Sequence, residues 1–329
     1  MDWWLTGICA SRVFNGLVFM TYAAAVPVLQ KEWQMSGLAA GSIASGFQLG
    51  YAVSLVAFST LSDRISPKLL YLFSMSFSAL CSLCFAAFAR SYLSALLLYT
   101  AVGIALGGTY TTALIILSDR YPEKQRGMAI GFFIASTSLG YAFSLLLSGI
   151  ALPVGGYKLS FLLTCLGPFV GSILAWITLY RTHVPAARHR EGRTFTKEVL
   201  GNRPARLLIS GYTFHSWELL GMWAWTPAFL SSCLAVGGKG GLAAAGLGAY
   251  ASSLFHATGL IASFSMGALS DRLGRAQVII MLSAISTLCS FLFGWAIGWP
   301  FMVIIGIGLI YGFSSLGDSP VFSAALTET

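Results

Sequence analysis

The chain has 329 residues, of which 57% are hydrophobic and 9% charged, with a mean hydropathy of +0.78. That leaves far too little polar surface to coat a soluble body of this size, so the sequence reads as an integral membrane protein. The net charge of +8 arises from 19 Lys and Arg against 11 Asp and Glu. Its distribution, described below, is explained by membrane topology and gives no support to nucleic-acid binding.

In chain order, apolar stretches fall at residues 4–30, 36–61, 69–88, 92–117, 128–152, 159–180, 206–234, 242–269, 277–295 and 301–326. Lengths of roughly 20 to 28 residues suit helices crossing a hydrocarbon core of ~30 Å and exceed what barrel strands need. The expectation is an all-α membrane protein with about ten spans. The first stretch is too long for a signal-peptide core and carries Arg12 in its interior, so it is read as a retained span. Cys9, Cys81, Cys84, Cys165, Cys233 and Cys289 all lie in apolar helices. They read as small packing residues, and no metal, cofactor or structural disulfide is expected.

Basic residues crowd into alternate loops: Arg64 and Lys68; Arg120, Lys124 and Arg126; the stretch from Arg181 to Arg206; Arg272 and Arg275. The opposite loops hold only Lys31, Arg90, Lys158 and Lys239. Positive loops stay on the cytoplasmic side, which puts both ends of the chain there. The compact loops suit a bacterial cytoplasmic membrane, and the lipid bilayer is the expected surrounding partner.

The one long polar stretch, 182–205, follows the sixth span and reads as an inter-domain linker between a six-helix bundle at 1–181 and a second bundle at 206–329. The halves repeat. Pro27 and Pro227 are 200 residues apart, and the same register pairs Asn15 with His215. Leu61-Ser62-Asp63-Arg64 recurs as Leu269-Ser270-Asp271-Arg272, and that offset pairs Gln48 with His256. The second half carries four spans where the first carries six. A piece of a longer protein is the favoured explanation over a natural ten-helix variant.

Gly267-Ala268-Leu269-Ser270-Asp271-Arg272-Leu273-Gly274-Arg275 resembles the loop signature of the major facilitator superfamily. The first copy is degraded, with Ser59, Ser66 and Pro67 in place of two glycines and an arginine. Asp119-Arg120-Tyr121-Pro122-Glu123-Lys124-Gln125-Arg126-Gly127 is similar to that family's loop between helices four and five. The resemblance implies a two-bundle architecture with a pseudo-twofold repeat, twelve helices in full, and alternating access about a central site. It also implies gating by Asp63, Arg64, Arg126, Asp271, Arg272 and Arg275, with Asp271 facing the start of helix five near Gly127. The fifth span lacks the Gly-Pro of many drug/proton antiporters, so drug export by proton exchange is less favoured.

Polar side chains within a bilayer are costly and therefore candidates for function. In the first span Arg12, Asn15, Phe19 and Tyr22 recur at helical spacing; in the seventh, His215, Glu218, Met222 and Trp225 do so. Arg12, Asn15, Tyr22, Gln48, His215, Trp225 and His256 form the expected substrate-binding set. Asn15, Gln48, His215 and His256 make a polar belt shared by both bundles. Arg12 stays charged and must meet a carboxylate, Glu218 first and Asp318 second, or an anionic substrate. Displacement of Glu218 by an arriving carboxylate would free it to take a proton, so Glu218 and Asp318 are the expected proton-coupling groups; a permanent structural ion pair between Arg12 and Glu218 is the alternative.

The reading is therefore a secondary transporter for a small solute, coupled to protons and taking a small organic anion, working as a monomer. The alternatives are an efflux carrier for drug-like or metabolite solutes and a non-transporting membrane sensor or binding protein of the same fold. A membrane-embedded enzyme is disfavoured, because no Gly-x-Ser-x-Gly, His-Glu-x-x-His or phosphate-cradling loop is present.

Overall fold

A computed structural model describes residues 2–182 and 201–327. All regular elements among the described residues are helical. The first half contains α1 (Trp3–Gly16), α2 (Thr21–Glu32), α3 (Gly37–Leu61), α4 (Pro67–Phe88), α5 (Tyr92–Leu106), α6 (Thr111–Arg120) and α7 (Glu123–Leu179). The second contains α8 (Arg203–Val236), α9 (Gly241–Leu273), α10 (Arg275–Trp295), α11 (Phe301–Gly317) and α12 (Ser319–Thr327). Residues 183–200 of the expected linker lie outside the described residues.

Among the described residues, eight helical stretches are long and apolar enough to cross a membrane. The ten expected spans do not appear as ten separate helices. Two of them share α7, a 57-residue element bent at Gly155 and Gly156, where Gly156 has φ 62°. That left-handed conformation is one glycine adopts readily, so the chain turns there without leaving the element. At 33 residues α9 is long enough to span but falls outside the eight.

Helix starts follow local chemistry. The Asp2 carboxylate accepts from the Leu5 N–H at 2.7 Å, Ser36 accepts from Ala39, and Ser91 forms a reciprocal capping box with Ser94. Asp2 also accepts from the Tyr121 hydroxyl at 3.0 Å, tying the start of α1 to the loop before α7. Burial opposes ionisation of Asp2, yet hydrogen bonds from Leu5 and Tyr121 and the nearby Arg120 hold its carboxyl below the usual range. Burial, followed by that contact with Asp2, pushes the Tyr121 phenol up to about 12.

The expected continuous first span is interrupted. Residues 17–20 leave the helix between α1 and α2, and the polar stripe on Arg12, Asn15, Phe19 and Tyr22 is therefore not one straight face. Carbonyls freed at the break find donors elsewhere in the first half: Ser144 Oγ donates to Leu17 O, and the Tyr99 hydroxyl donates to Phe19 O at 2.7 Å. Such pairing is what makes irregular backbone tolerable at membrane depth. A short 3-10 turn at Gly107–Thr109 separates α5 from α6. Asp318 separates α11 from α12, and Pro320 has no N–H to offer the Leu316 carbonyl.

Packing in the first half depends on close helix approach. A Cβ at Gly103 would collide with the Phe47 carbonyl of α3, so α3 and α5 meet backbone to backbone. One apolar core, around Phe47, Phe85, Tyr99 and Phe161, also takes in Ala228, Ala245 and Ala249 of the second half. The halves thus join at the end away from the basic loops. Smaller cores hold the second half together around Phe255 and Phe293, Met222 and Tyr311, and Leu282 and Val321.

Gly103→Ala should force α3 and α5 apart and lower the thermal midpoint in detergent, at an overpacking cost of about 1–3 kcal/mol. Gly221→Ala, where an added Cβ meets nothing within 4 Å, should leave the midpoint unchanged or raise it. Equal melting of the two variants would contradict this packing.

Candidate functional site

The break in α1–α2 and the turn before α6 bring together the groups around Arg12. Its side chain is 5% exposed. Nε donates to Thr137 Oγ1 at 2.8 Å and Nη1 to Thr109 Oγ1 at 2.9 Å. The guanidinium carbon sits 5.4 Å from the centre of the Phe133 ring and 5.8 Å from that of Tyr110. Such contacts favour a cation without neutralising it. The expected pairing with Glu218 or Asp318 is not formed, and among the described residues no carboxylate lies within ion-pair distance of Arg12.

Asn15 is fully buried one turn along, its Nδ2 directed at Met75 Sδ, and its Oδ1 has no partner among the described residues. Close approach of Gly16 and Gly140 sets α1 against α7 here, since a Cβ on Gly16 would stand 3.2 Å from Gly140 Cα. A small cleft is lined by Arg12, Asn15, Phe19, Tyr51 and Tyr141. Phe19 and Tyr141 stack with ring centres 4.3 Å apart.

A second cleft lies on the other side of Tyr141, lined by Met222, Trp223, Thr226, Ser252, Phe255 and His256. Tyr141 meets the Trp223 ring at 5.3 Å and the His256 ring at 6.0 Å, both nearly edge-on. Both bundles therefore supply aromatic rings to one central cluster.

The expected four-residue belt is divided. Asn15 and His256 border this central region, whereas His215 sits deeper in the second bundle. There its Nδ1 is 3.0 Å from Asp318 Oδ2, its Nε2 is 2.9 Å from Ser319 Oγ, and its ring clusters with those of Tyr212 and Phe322, which also touch each other at 5.5 Å. Glu218, one turn beyond His215, accepts from Ser286 Oγ at 3.2 Å through Oε2, while its buried Oε1 has no partner among the described residues. Gln48 is half-buried on α3. Tyr22 is buried and donates to Ala40 O at 2.9 Å, fastening α2 to α3. Trp225 is 41% exposed, with Cζ2 3.3 Å from where a Cβ on Gly41 would stand.

Sequence reasoning missed Thr109 and Thr137 as the partners of Arg12. Threonine is too common in membrane helices to signal such a role by itself.

At the basic face, Asp63 and Arg64 are exposed. Asp271, 63% exposed, pairs with Arg275 at 2.6 Å rather than with the start of α7. Arg272 is exposed, and the half-buried Arg126 leaves Nε without a partner among the described residues. A Cβ at Gly127, Gly131 or Gly267 would meet nothing within 4 Å. Toward the opposite face the same two helices touch, because a Cβ on Gly149 would lie 2.9 Å from Gly246 O. Close approach along the α7–α9 pair is thus seen at Gly149 and Gly246 and not at Gly127, Gly131 or Gly267.

This architecture has known counterparts. The family model for the Major Facilitator Superfamily matches residues 8–328, and the chain belongs to that family. It is 23% identical over 157 residues to the benzoate transport protein of Acinetobacter baylyi, covering 46% of this chain and 33% of that protein. It is 23% identical over 325 residues to a probable 4-methylmuconolactone transporter of Cupriavidus pinatubonensis, covering 92% of this chain and 70% of that one. Against several curated relatives the chain spans only a third to about half of their length. The fold is similar to a bacterial homolog of the human lysosomal transporter Spinster, solved in an inward-facing and unoccupied conformation. That likeness has a TM-score of 0.70 at 16% identity, covering 100% of this chain and 79% of that one. The family is one of membrane transporters and not an enzyme class.

Removing one member of the buried His215–Asp318 pair leaves the other uncompensated. Asp318→Ala should cost about 3 kcal/mol of stability, and the double variant His215→Ala/Asp318→Ala should lose clearly less than the two single losses added together. Additive losses in a thermal or denaturant series would show that the pair is not coupled.

Proposed function

We propose that the chain carries a small organic anion across a membrane by alternating access, with Arg12 as the anion anchor. One observation carries this reading: a buried guanidinium held by two threonine hydroxyls and two aromatic rings, with a cleft in front of it. Neutral hydroxyls fix its direction and leave its charge uncompensated, so a carboxylate entering the cleft supplies the missing counter-ion. A buried pair formed this way is strong because few waters compete for it. The printed function of the benzoate relative supports the anion assignment.

In this reading the basic face is cytoplasmic and the present conformation is open toward it. Support comes from the open space at Gly127, Gly131 and Gly267 near that face and from the likeness to a transporter solved inward-facing. Closure at that face would transfer Asp271 from Arg275 to the N-terminal turn of α7, with Arg64, Arg126 and Arg272 completing the charged seam and Asp63 serving its own copy of the motif. Substrate contacts from Asn15, Gln48, Tyr22, Trp225, His215 and His256 belong to the same proposal, with Tyr22 and His215 acting through the helices they hold.

Proton coupling would reside in the second bundle. Glu218 has one oxygen without a hydrogen-bond partner among the described residues, and Asp318 lies against His215. Because Arg12 and Glu218 are not paired here, coupling would pass through bundle movement and not through direct exchange of partners.

Arg12→Met should abolish saturable binding of benzoate, and Arg12→Lys should weaken it at least about tenfold, since an ammonium cannot reproduce the guanidinium fork. Undiminished binding by either variant would remove Arg12 from the site. In proteoliposomes, Glu218→Gln should lose accumulation driven by a pH gradient while keeping counterflow exchange. Full gradient-driven accumulation would eliminate Glu218 as the proton carrier.

A further inference from the structure

The cleft on the second-bundle side of Tyr141 has walls of Met222, Phe255, Leu145 and Pro227. Its polar atoms are few. Thr226 Oγ1 donates to the Met222 carbonyl and Ser252 Oγ to the Gly248 carbonyl, so both hydroxyl protons are spent within their own helices. Two buried nitrogens are not spent: His256 Nδ1 and Trp223 Nε1 have no partner among the described residues. His256 is 4% exposed, and its ring centre lies 5.5 Å from that of Trp223. Leaving a buried polar group unpaired costs about 1–3 kcal/mol, and two such groups side by side in an apolar cleft point to a ligand.

Their chemistry selects what that ligand offers. An indole N–H can only donate, whereas an imidazole nitrogen donates or accepts according to its tautomer. A hydroxyl both accepts and donates, so one hydroxyl can take the Trp223 proton and still pair with His256. A carboxylate accepts only, and its charge is already matched by Arg12 across the Phe19–Tyr141 stack. Between the two ends stand Phe19, Tyr141 and Trp223, whose faces and edges suit a flat ring.

We infer that His256 and Trp223 read a hydroxyl on the substrate remote from its carboxylate, so that the preferred cargo is a hydroxylated aromatic carboxylate. This rests on the anion-anchor reading of Arg12. Each bundle then holds one end of the same molecule, and the ring enters where Phe19 and Tyr141 now stack against one another. Neither end alone fills both clefts. A benzoate lacking the hydroxyl leaves the two nitrogens unpaired, and an uncharged phenol leaves the guanidinium unmatched.

The test is calorimetric titration of the purified protein in detergent with benzoate, 3-hydroxybenzoate and 4-hydroxybenzoate. The better hydroxy acid should bind about tenfold tighter than benzoate, the discrimination that one to two net hydrogen bonds supply. His256→Leu should bring that ratio close to one. Trp223→Phe keeps a six-membered aromatic ring but removes the N–H with the five-membered ring that carries it, and should reduce the ratio. A ratio measured within each variant is insensitive to how much protein folds. An unchanged ratio in both variants, or no preference for either hydroxy acid in the parent protein, overturns the inference. Benzoate binding that survives Arg12→Met overturns the anchor reading instead, and the two failures are separately visible. Absence of measurable binding by all three acids overturns the aromatic assignment.

Discussion

In hydrocarbon, every backbone carbonyl released at a helix break must find a donor within the protein, and that requirement shapes the central region of this chain. The first span opens at residues 17–20, where Ser144 and Tyr99 arrive to satisfy the freed carbonyls. Opening the span there places Arg12 and Asn15 at the end of one helical segment and Phe19 at the break. The 3-10 turn at Gly107–Thr109 presents Thr109 to the guanidinium. Irregular backbone, its compensating donors and the buried cation thus occur together. A straight first helix would have turned Phe19 and Arg12 along one continuous stripe and left no wall for the cleft between α1 and α7.

Charge is separated between the bundles. The first holds a cation matched only by neutral hydroxyls, while the second holds Glu218 and the Asp318–His215 pair. Had Arg12 and Glu218 met, each would have neutralised the other and a substrate would have had to compete with an internal carboxylate. Their separation means that, in the proposed cycle, an anion binds without first breaking a protein ion pair, and any proton on Glu218 answers to bundle position. Tyr141 is the physical link. It stacks on Phe19 in the first bundle and touches Trp223 and His256 in the second.

Much of the architecture was legible from hydropathy, basic-loop alternation and the repeated Asp-Arg motif, because membrane insertion imposes these patterns on the sequence itself. The breaks were harder to read. Gly16 and the turn at Gly107–Thr109 look like ordinary packing glycines, whereas the Gly317-Asp318-Ser319-Pro320 break carries its own proline. Partner choice was not legible at all. Equal spacing from a repeat axis pairs Asn15 with His215, yet His215 turns instead to Asp318 on a neighbouring helix break. Side-chain pairing depends on which helix lies alongside, and the repeat offset carries no information on that. Thr109 and Thr137 illustrate the same limit, since only the approach of α1 to α6 and α7 gives them a guanidinium to hold.

The register of α7 against α9 connects the central cluster with the charged motif. Gly149 lies against Gly246, and Tyr141 against His256. About four helical turns further along the same antiparallel register, at 5.4 Å per turn, Gly127 comes opposite Asp271. That is the contact the family motif implies. In its place is the Asp271–Arg275 pair, whose carboxylate is largely exposed and whose worth is about 0–1 kcal/mol. A carboxylate at a helix N-terminus is worth about 0.3–1 kcal/mol under similar exposure. Exchanging one for the other changes the energy little, so the charged seam does not by itself decide which end of the pair is shut. In the proposed cycle, a near-balanced seam leaves that decision to differential binding at the central cluster, where a ligand held by both bundles would favour whichever arrangement brings Arg12 and His256 to its two ends.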